Sequence, residues 1–270
     1  MPPEPVQEKA TENVKHAVEQ AKQEVTSSRE PWYRSFKRAQ ILIGIYILEV
    51  VLFTLLAVFV FIHPILPIDI AITQEFQENQ SPWLRILMLA VSYLGSNWPV
   101  FAALTLLTAL ALWVVQLRLE AVLIISLSVV STLLNNLIKI IVSRPRPTAQ
   151  FVEIIQAASG KSFPSGHVMS YVAYFGLLFS LTLILFKRDH WWQYVILIVS
   201  GLFVVLVGPS RIYLGDHWAS DVLGGYLLGS LLLGISLSIY LRLKNKGVLA
   251  PKAEPGKRIV DPKPLPGHAE

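Results

Sequence analysis

The chain contains no cysteine among its 270 residues. It therefore forms no disulfide and has no thiolate for metal binding or nucleophilic attack. That absence fits either side of a membrane and leaves the redox compartment open. Charge is scarce too. Asp, Glu, Lys and Arg make up 15% of the chain, where an ordinary soluble domain carries about 25%. Internal repeats are absent, and the first thirty residues lack the apolar core of a secretory signal. What the chain has instead is apolar residues, 53% of the total, with a mean hydropathy of +0.53. They gather in runs of about twenty, the length that crosses a ~30 Å hydrocarbon core. The sequence is that of an integral membrane protein. Its formal charge of +5 requires no nucleic-acid partner, because basic residues flank membrane spans as a rule.

The periodicity predicts an all-α fold, a bundle of six transmembrane helices. The spans are expected at 40–63, 97–116, 120–142, 166–186, 193–212 and 218–242. The stretch 67–95 is too polar at its start to cross and predicts a pair of interfacial helices between spans one and two. Residues 40–242 form the membrane domain. Residues 1–39 precede it as a cytoplasmic segment in which Val14, Val18, Ala21 and Val25 recur at the spacing of an amphipathic helix. Residues 243–270, rich in proline and charge, read as a disordered cytoplasmic tail. Basic residues set the orientation. Arg34, Lys37 and Arg38, then Arg118, then Lys187 and Arg188, then Arg242, Lys244 and Lys246 all fall on one side of a six-span chain. The positive-inside rule makes that side cytoplasmic, with both termini. One opposite loop, 143–166, breaks the pattern with Arg144, Arg146 and Lys161. Its positive charge serves something other than topology.

Three polar clusters, far apart in sequence, reach that same outer face. Lys139 ends span three, with Arg144 and Arg146 just beyond it; "FPSGH", 163–167, opens span four; Arg211 closes span five; and His217 and Asp221 open span six. Guanidinium forks match phosphate oxygens, and charges near a bilayer imply a functional partner. Ser165 and Gly166 stand at a helix start, where free N–H groups favour an anion and a residue without Cβ allows close approach. Together these residues describe a phosphate cradle. His217 and Asp221, four apart, share one face of a helix, so Asp221 can fix the imidazole tautomer and leave the other ring nitrogen free to attack. His167, protonated, can donate to a leaving oxygen.

The residues Lys139, Arg146 and Pro147 form K-x6-R-P, Pro164 to His167 form P-S-G-H, and Ser210, Arg211, His217 and Asp221 form S-R-x5-H-x3-D. In these three motifs, in order and unsubstituted, the chain resembles the type 2 phosphatidic acid phosphatase superfamily over residues 40–242. The resemblance implies a metal-independent lipid phosphate phosphatase without cofactor, facing the extracytoplasmic side of the plasma or inner membrane. It implies that His217 attacks phosphorus with help from Asp221, while His167 protonates the leaving group and then activates water. Lys139, Arg146, Arg211, Ser165 and the Gly166 backbone would hold the phosphate oxygens. The substrate would be a lipid phosphate in contact with membrane lipids: phosphatidic acid, phosphatidylglycerol phosphate or a polyprenyl diphosphate. Passing the phosphoryl group to an acceptor alcohol is the nearest alternative. Two others stand further off: a metal site at His167, His217 and Asp221, opposed by the surrounding cations, and a non-enzymatic transporter.

Other polar and aromatic residues have structural readings. Arg144 lies outside the motif and reads as loop charge or a contact to a second phosphate. Asp216 reads as a helix cap, and Asn135 and Asn136 as interhelical hydrogen-bonding residues. Glu49 reads as a partner inside the bundle or beside a water-filled cleft. Trp83, Trp98, Trp191, Trp192 and Trp218 read as an interfacial belt. Gly224, Gly225, Gly229 and Gly234 read as a close-packing stripe on span six.

Overall fold

The computed structural model describes residues 32–187 and 189–249, with side chains from Gln40 onward. The amphipathic helix expected around Val14 to Val25 and the tail from residue 250 lie outside the described residues. Every regular element among the described residues is helical: α1 (Trp32–Ile62), α2 (Pro67–Gln77), α3 (Pro82–Ser96), α4 (Trp98–Val114), α5 (Arg118–Val142), α6 (Gly166–Tyr171), a π-helical turn (Val172–Gly176), α7 (Leu177–Leu185), α8 (Trp191–Tyr213) and α9 (Ala219–Asn245). Contacts divide the chain into Met1–Glu49 and Val50–Glu270. The first unit holds the start of α1, and the second holds the rest of α1 and every other element.

Among the described residues, five stretches are long and apolar enough to cross a membrane unaided: the apolar part of α1, α5, α6 to α7, α8 and α9. A sixth span appears when α3 and α4 are taken together, bent by 71°. The bend has a local cause. Asn97 leaves the helical region at φ −107°, ψ 78°, and Pro99, with no N–H to bond back toward Gly95, cannot continue α3, so α3 stops at Ser96 and α4 restarts with the proline in its first turn. Alone, the 17 residues of α4 span only about 25 Å. Two helices do lie between spans one and two, α2 and α3, each opened by a proline, but α3 joins α4 in the bent span.

The stretch from α6 to α7 is the most enclosed of the spans. Val168, Tyr171, Val172, Tyr174 and Leu177 project from it into a core completed by Ile124 and Leu127 of α5, Val207 of α8 and Val222 of α9. The outer surface is the reverse of a soluble protein's: Leu55, Leu106, Leu107, Ile140 and Val205 are exposed, as a lipid-facing surface requires. Helix α9 lies against α6 and α5. A Cβ at Gly224 would overlap the Phe163 ring at 2.5 Å, one at Gly225 the Ser165 carbonyl at 3.0 Å, and one at Gly229 the Val172 side chain at 3.1 Å. The close-packing reading of these glycines holds. Pro209 sits in α8 and cannot bond the Val205 carbonyl. The Tyr226 hydroxyl of α9 donates to the neighbouring Val204 carbonyl at 2.7 Å and reaches that of Val205 at 3.3 Å. Trp218 departs from the belt reading: it is buried, with its indole N–H donating to the Pro145 carbonyl.

Two loop glycines separate backbone strain from crowding. Gly160 has φ +80° with open space around a notional Cβ, whereas at Gly215, φ +72°, that Cβ would lie 2.2 Å from the Glu153 carbonyl oxygen. Gly160→Ala is expected to cost about 1 kcal/mol from the left-handed backbone alone. Gly215→Ala adds roughly 1–3 kcal/mol of overpacking. Thermal unfolding in detergent should show the larger loss of Tm for Gly215→Ala.

Candidate active site

Helix α5 ends because Ser143 turns left-handed, φ 52°, and Pro145 follows. The chain then loops out and returns at Ser162, whose N–H donates to the Arg144 carbonyl. At the other side of the site, α8 closes on Arg211 and Tyr213, and a short turn carries His217 to the first turn of α9. His217 thus precedes the helix instead of sharing a face with Asp221, as the four-residue spacing had suggested. Asp221 folds back to accept the Trp218 N–H at 2.9 Å, an N-terminal cap made by the third helical residue.

That fold-back places Asp221 Oδ2 3.5 Å from Nδ1 of His217, a long contact. The Ser162 hydroxyl bridges the two: it donates a very short bond to Asp221 Oδ2 and lies 3.5 Å from Nδ1. On the other ring nitrogen, Arg146 Nη1 approaches Nε2 to 3.2 Å. Arginine has only donors, so Nε2 is the acceptor and the proton resides on Nδ1. His217 therefore presents a lone pair on Nε2, backed by a buried carboxylate.

His167 follows Gly166 in the first turn of α6, its ring 6.5 Å from that of His217. Its Nε2 lies 3.2 Å from the Ser96 hydroxyl at the end of α3. The ring packs over Gly95, where a Cβ would meet it at 2.3 Å; any side chain there displaces the imidazole. Ser96 accepts from Gln156 Nε2 at 2.9 Å, and Gln156 Oε1 accepts from Ser92 and from Arg211 Nη2.

Lys139, Arg146, Gly166, His167 and His217 line one cavity of about 530 Å³, together with Asn135, Asn136 and Lys161. Lys139 Nζ donates to the Lys161 carbonyl at 2.7 Å. Arg146 donates to the carbonyls of Ser159, Gly160 and Asp216. Neither cation has a carboxylate within ion-pair distance among the described residues. Ser165, Arg211 and Asp221 stand one layer behind the cavity wall. Ser165 is buried with its hydroxyl unpartnered among the described residues, and its N–H donates to the Asp221 carbonyl at 3.0 Å. Arg211 is fully buried and ion-paired with Asp216. Asp216 is thus a counter-charge and not the helix cap it resembled in sequence. Asn135 does bond across elements, to the Pro164 carbonyl and the Met169 sulfur.

Arg144 departs furthest from its sequence reading. It is neither loop charge nor cavity lining, being 1% exposed and ion-paired to Asp221 at 2.6 Å and Asp69 at 2.7 Å. Sequence reasoning also missed Asp69, Ser96 and Ser162. Ser162 sits two residues before "PSGH", so proximity was a usable signal; Asp69 gave none beyond an acidic residue in an apolar stretch.

A family profile described as the PAP2 superfamily matches residues 119–245. Phosphatidylglycerophosphatase B of Bacillus subtilis (strain 168) is 30% identical over 182 residues, covering 67% of this chain and 87% of that protein. An undecaprenyl-diphosphatase of Sulfolobus acidocaldarius is 30% identical over 165 residues, 60% of this chain and 73% of the other. The crystal structure of a transmembrane PAP2 type phosphatidylglycerolphosphate phosphatase from Bacillus subtilis superposes with a TM-score of 0.64 at 28% identity, covering 73% of this chain and 96% of that one.

Burial, followed by the charges of Arg146, Lys139 and Arg211, pushes the His217 imidazole well below the ordinary histidine range, against a smaller pull from the Ser162 main chain. The neutral form therefore persists as pH falls. In detergent, ¹⁵N spectra of histidine-labelled protein should show His217, identified by its loss in His217→Ala, still neutral at about pH 6.5, where an ordinary imidazole is half protonated. Half-protonation of His217 at that pH would refute the assignment.

Proposed function

Since the chain belongs to the PAP2 superfamily, a lineage of phosphoric ester and diphosphate hydrolases, we propose that it cleaves the phosphate monoester or diphosphate of a membrane lipid through a phosphohistidine on His217. The protein is a multi-pass membrane phosphatase of lipid phosphates. The observation that carries the finer reading is the pair of cavity-lining cations, Lys139 and Arg146, without a carboxylate partner among the described residues, beside a neutral, carboxylate-backed Nε2. Both are half-buried at the end of an apolar bundle, where a charge favours a partner of opposite sign, and a phosphate supplies the missing charge with matching geometry.

In this mechanism the phosphate displaces the Arg146 contact to Nε2. His217 Nε2 attacks phosphorus, and the leaving oxygen takes a proton from His167. Water then attacks the phosphoenzyme, giving its proton to His167, and Nε2 departs with its lone pair restored. Lys139, Arg146 and the first N–H groups of α6 stabilise charge on the equatorial oxygens. Arg211, behind the wall, contributes its field and holds the Ser92–Gln156–Ser96 chain that orients His167.

A second, apolar groove of about 490 Å³ between α4 and α5 supports the lipid part of the reading. Phe101, Leu106, Ile125, Val129 and Leu133 line it, and it shares Gly95, Trp98, Thr132 and Ser170 with the polar cavity. A head group in one and a hydrocarbon chain in the other fit a single amphiphile. Both a phosphatidylglycerophosphate, named for the Bacillus relative, and a polyprenyl diphosphate, named for the Sulfolobus relative, have that form. The distribution of Lys and Arg at the span ends of the sequence supports a cavity on the extracytoplasmic side and cytoplasmic termini.

Purified protein in detergent with excess chelator should release phosphate from a panel of lipid mono- and diphosphates, and His217→Ala should abolish that release. Release retained by the variant would overturn the nucleophile assignment. For Ser162→Ala the expected loss is about tenfold in phosphoenzyme formation, equivalent to ~1.4 kcal/mol, with little change in KM. Rapid-quench trapping of the phosphoenzyme measures it.

A further inference from the structure

Asp221 shares its cation. Arg144 forks between two carboxylates, donating through Nη1 to Asp221 Oδ1 at 2.6 Å and through Nη2 to Asp69 Oδ2 at 2.7 Å. Its Nε donates to the Pro64 carbonyl and Nη1 also reaches the Ser220 hydroxyl. Asp69 is itself locked: it accepts the Ser220 N–H at 2.9 Å and the Ser220 hydroxyl at 2.6 Å. The Asp69, Arg144 and Asp221 side chains are at most 2% exposed, so water screens none of these charges.

We infer that Arg144 and Asp69 are positioning residues that set the charge of Asp221: Arg144 fixes its carboxylate, and Asp69 neutralises Arg144 so that Asp221 keeps a full negative charge for His217. The inference rests on the proposed role of His217. A cation bonded directly to Asp221, with nothing to balance it, would cancel the field that stabilises positive charge on the imidazole ring. With Asp69 in place the trio carries one net negative charge. Geometry agrees, because Arg144 occupies Oδ1 and leaves Oδ2 to Ser162, the Trp218 N–H and the His217 side. Helix α2, which carries no residue of the three motifs, thereby reaches the reacting centre through a single carboxylate.

The prediction is electrostatic and signed. The charged and titratable groups around His217 are Lys139 of α5, Arg146 of the loop, His167 of α6, Arg211 of α8 with Asp216 beside it, and Asp221 of α9. All are unchanged in Asp69→Asn, which keeps the shape of the side chain and removes one negative charge. Protonation of His217 becomes harder, so the acid limb of kcat/KM moves to lower pH by about half a unit or more, and kcat falls about tenfold with KM little changed. Asp69→Asn combined with Arg144→Gln restores the net charge: the limb returns to the wild-type position and kcat recovers to within about threefold. A purely structural role predicts the opposite, a double variant worse than the single one and a limb that does not move.

The experiment measures pH profiles for wild type, Asp69→Asn, the double variant and His217→Ala on one lipid phosphate, with monodispersity in detergent checked for each. A fixed acid limb in Asp69→Asn, or a double variant more impaired than the single one, overturns the inference while the loss of activity in His217→Ala leaves the proposed reaction standing. Wild-type activity that survives His217→Ala overturns both.

Discussion

Cations buried or half-buried at one end of an apolar bundle each call for a negative partner, and the rest of the structure depends on how that requirement is met. An uncompensated charge in such a place costs several kcal/mol. Arg144 meets the requirement with Asp69 and Asp221, and Arg211 with Asp216. Lys139 and Arg146 meet it halfway, with carbonyl oxygens whose dipoles soften the charge without cancelling it. The two kinds of solution are arranged in layers. Internally neutralised arginines lie behind the wall and hold the machinery in place, while the two partly satisfied cations face the cavity. That layering turns a membrane protein's most costly feature into selectivity for an anion.

The scaffold serves this arrangement through close approach and abrupt stops. Gly225 lets α9 touch the Ser165 carbonyl, near enough for the Ser165 N–H to reach the Asp221 carbonyl. Helix α6 is thereby pinned to the same residue that caps α9 and faces His217. The left-handed stop at Ser143 and the proline after Arg144 end α5 within reach of α2 and α9. At the other end of the same helices, Glu120 of α5 accepts from Tyr240 and Lys244 of α9 at 2.7 and 2.8 Å. Helices α5 and α9 are therefore held at both ends, and Lys139 and Asp221, which they carry, inherit a fixed separation.

Most of the membrane fold was legible because hydrophobic run length is a strong, local signal; spans three to six fall within a few residues of their helices. The bent α3–α4 pair was harder, since the break comes from one proline whose effect on direction no run length records. The site residues were legible as motifs, but their layering was not. Lys139, Arg146, Arg211 and Asp221 look alike in sequence as charged residues at span ends. Which of them lines the cavity depends on ion pairs, some between residues 75 or more positions apart, as in Arg144–Asp69 and Arg144–Asp221, and such pairs leave no periodicity. Trp218 shows the same limit: an indole beside a polar turn reads as interfacial until the Pro145 carbonyl is found above it.

The meeting of two unlike spaces at Gly95, Trp98, Thr132 and Ser170 explains why chemistry and lipid identity separate in this site. The groups proposed to touch a phosphate all lie in or against the polar cavity, and that cavity, about 530 Å³ against roughly 30 Å³ for one liquid water, has space beyond a single phosphate. The apolar groove offers α4 and α5 side chains with no directional bonds, so it discriminates by length and width and only weakly per methylene. Affinity for the hydrocarbon is therefore gained without constraining the reaction. Gly95 is the point where the two demands conflict: it borders both spaces, and its missing side chain is filled by the His167 ring. A larger residue there would improve the groove wall at the cost of the imidazole's position. The glycine is the geometric condition for having the His167 ring and an apolar groove side by side.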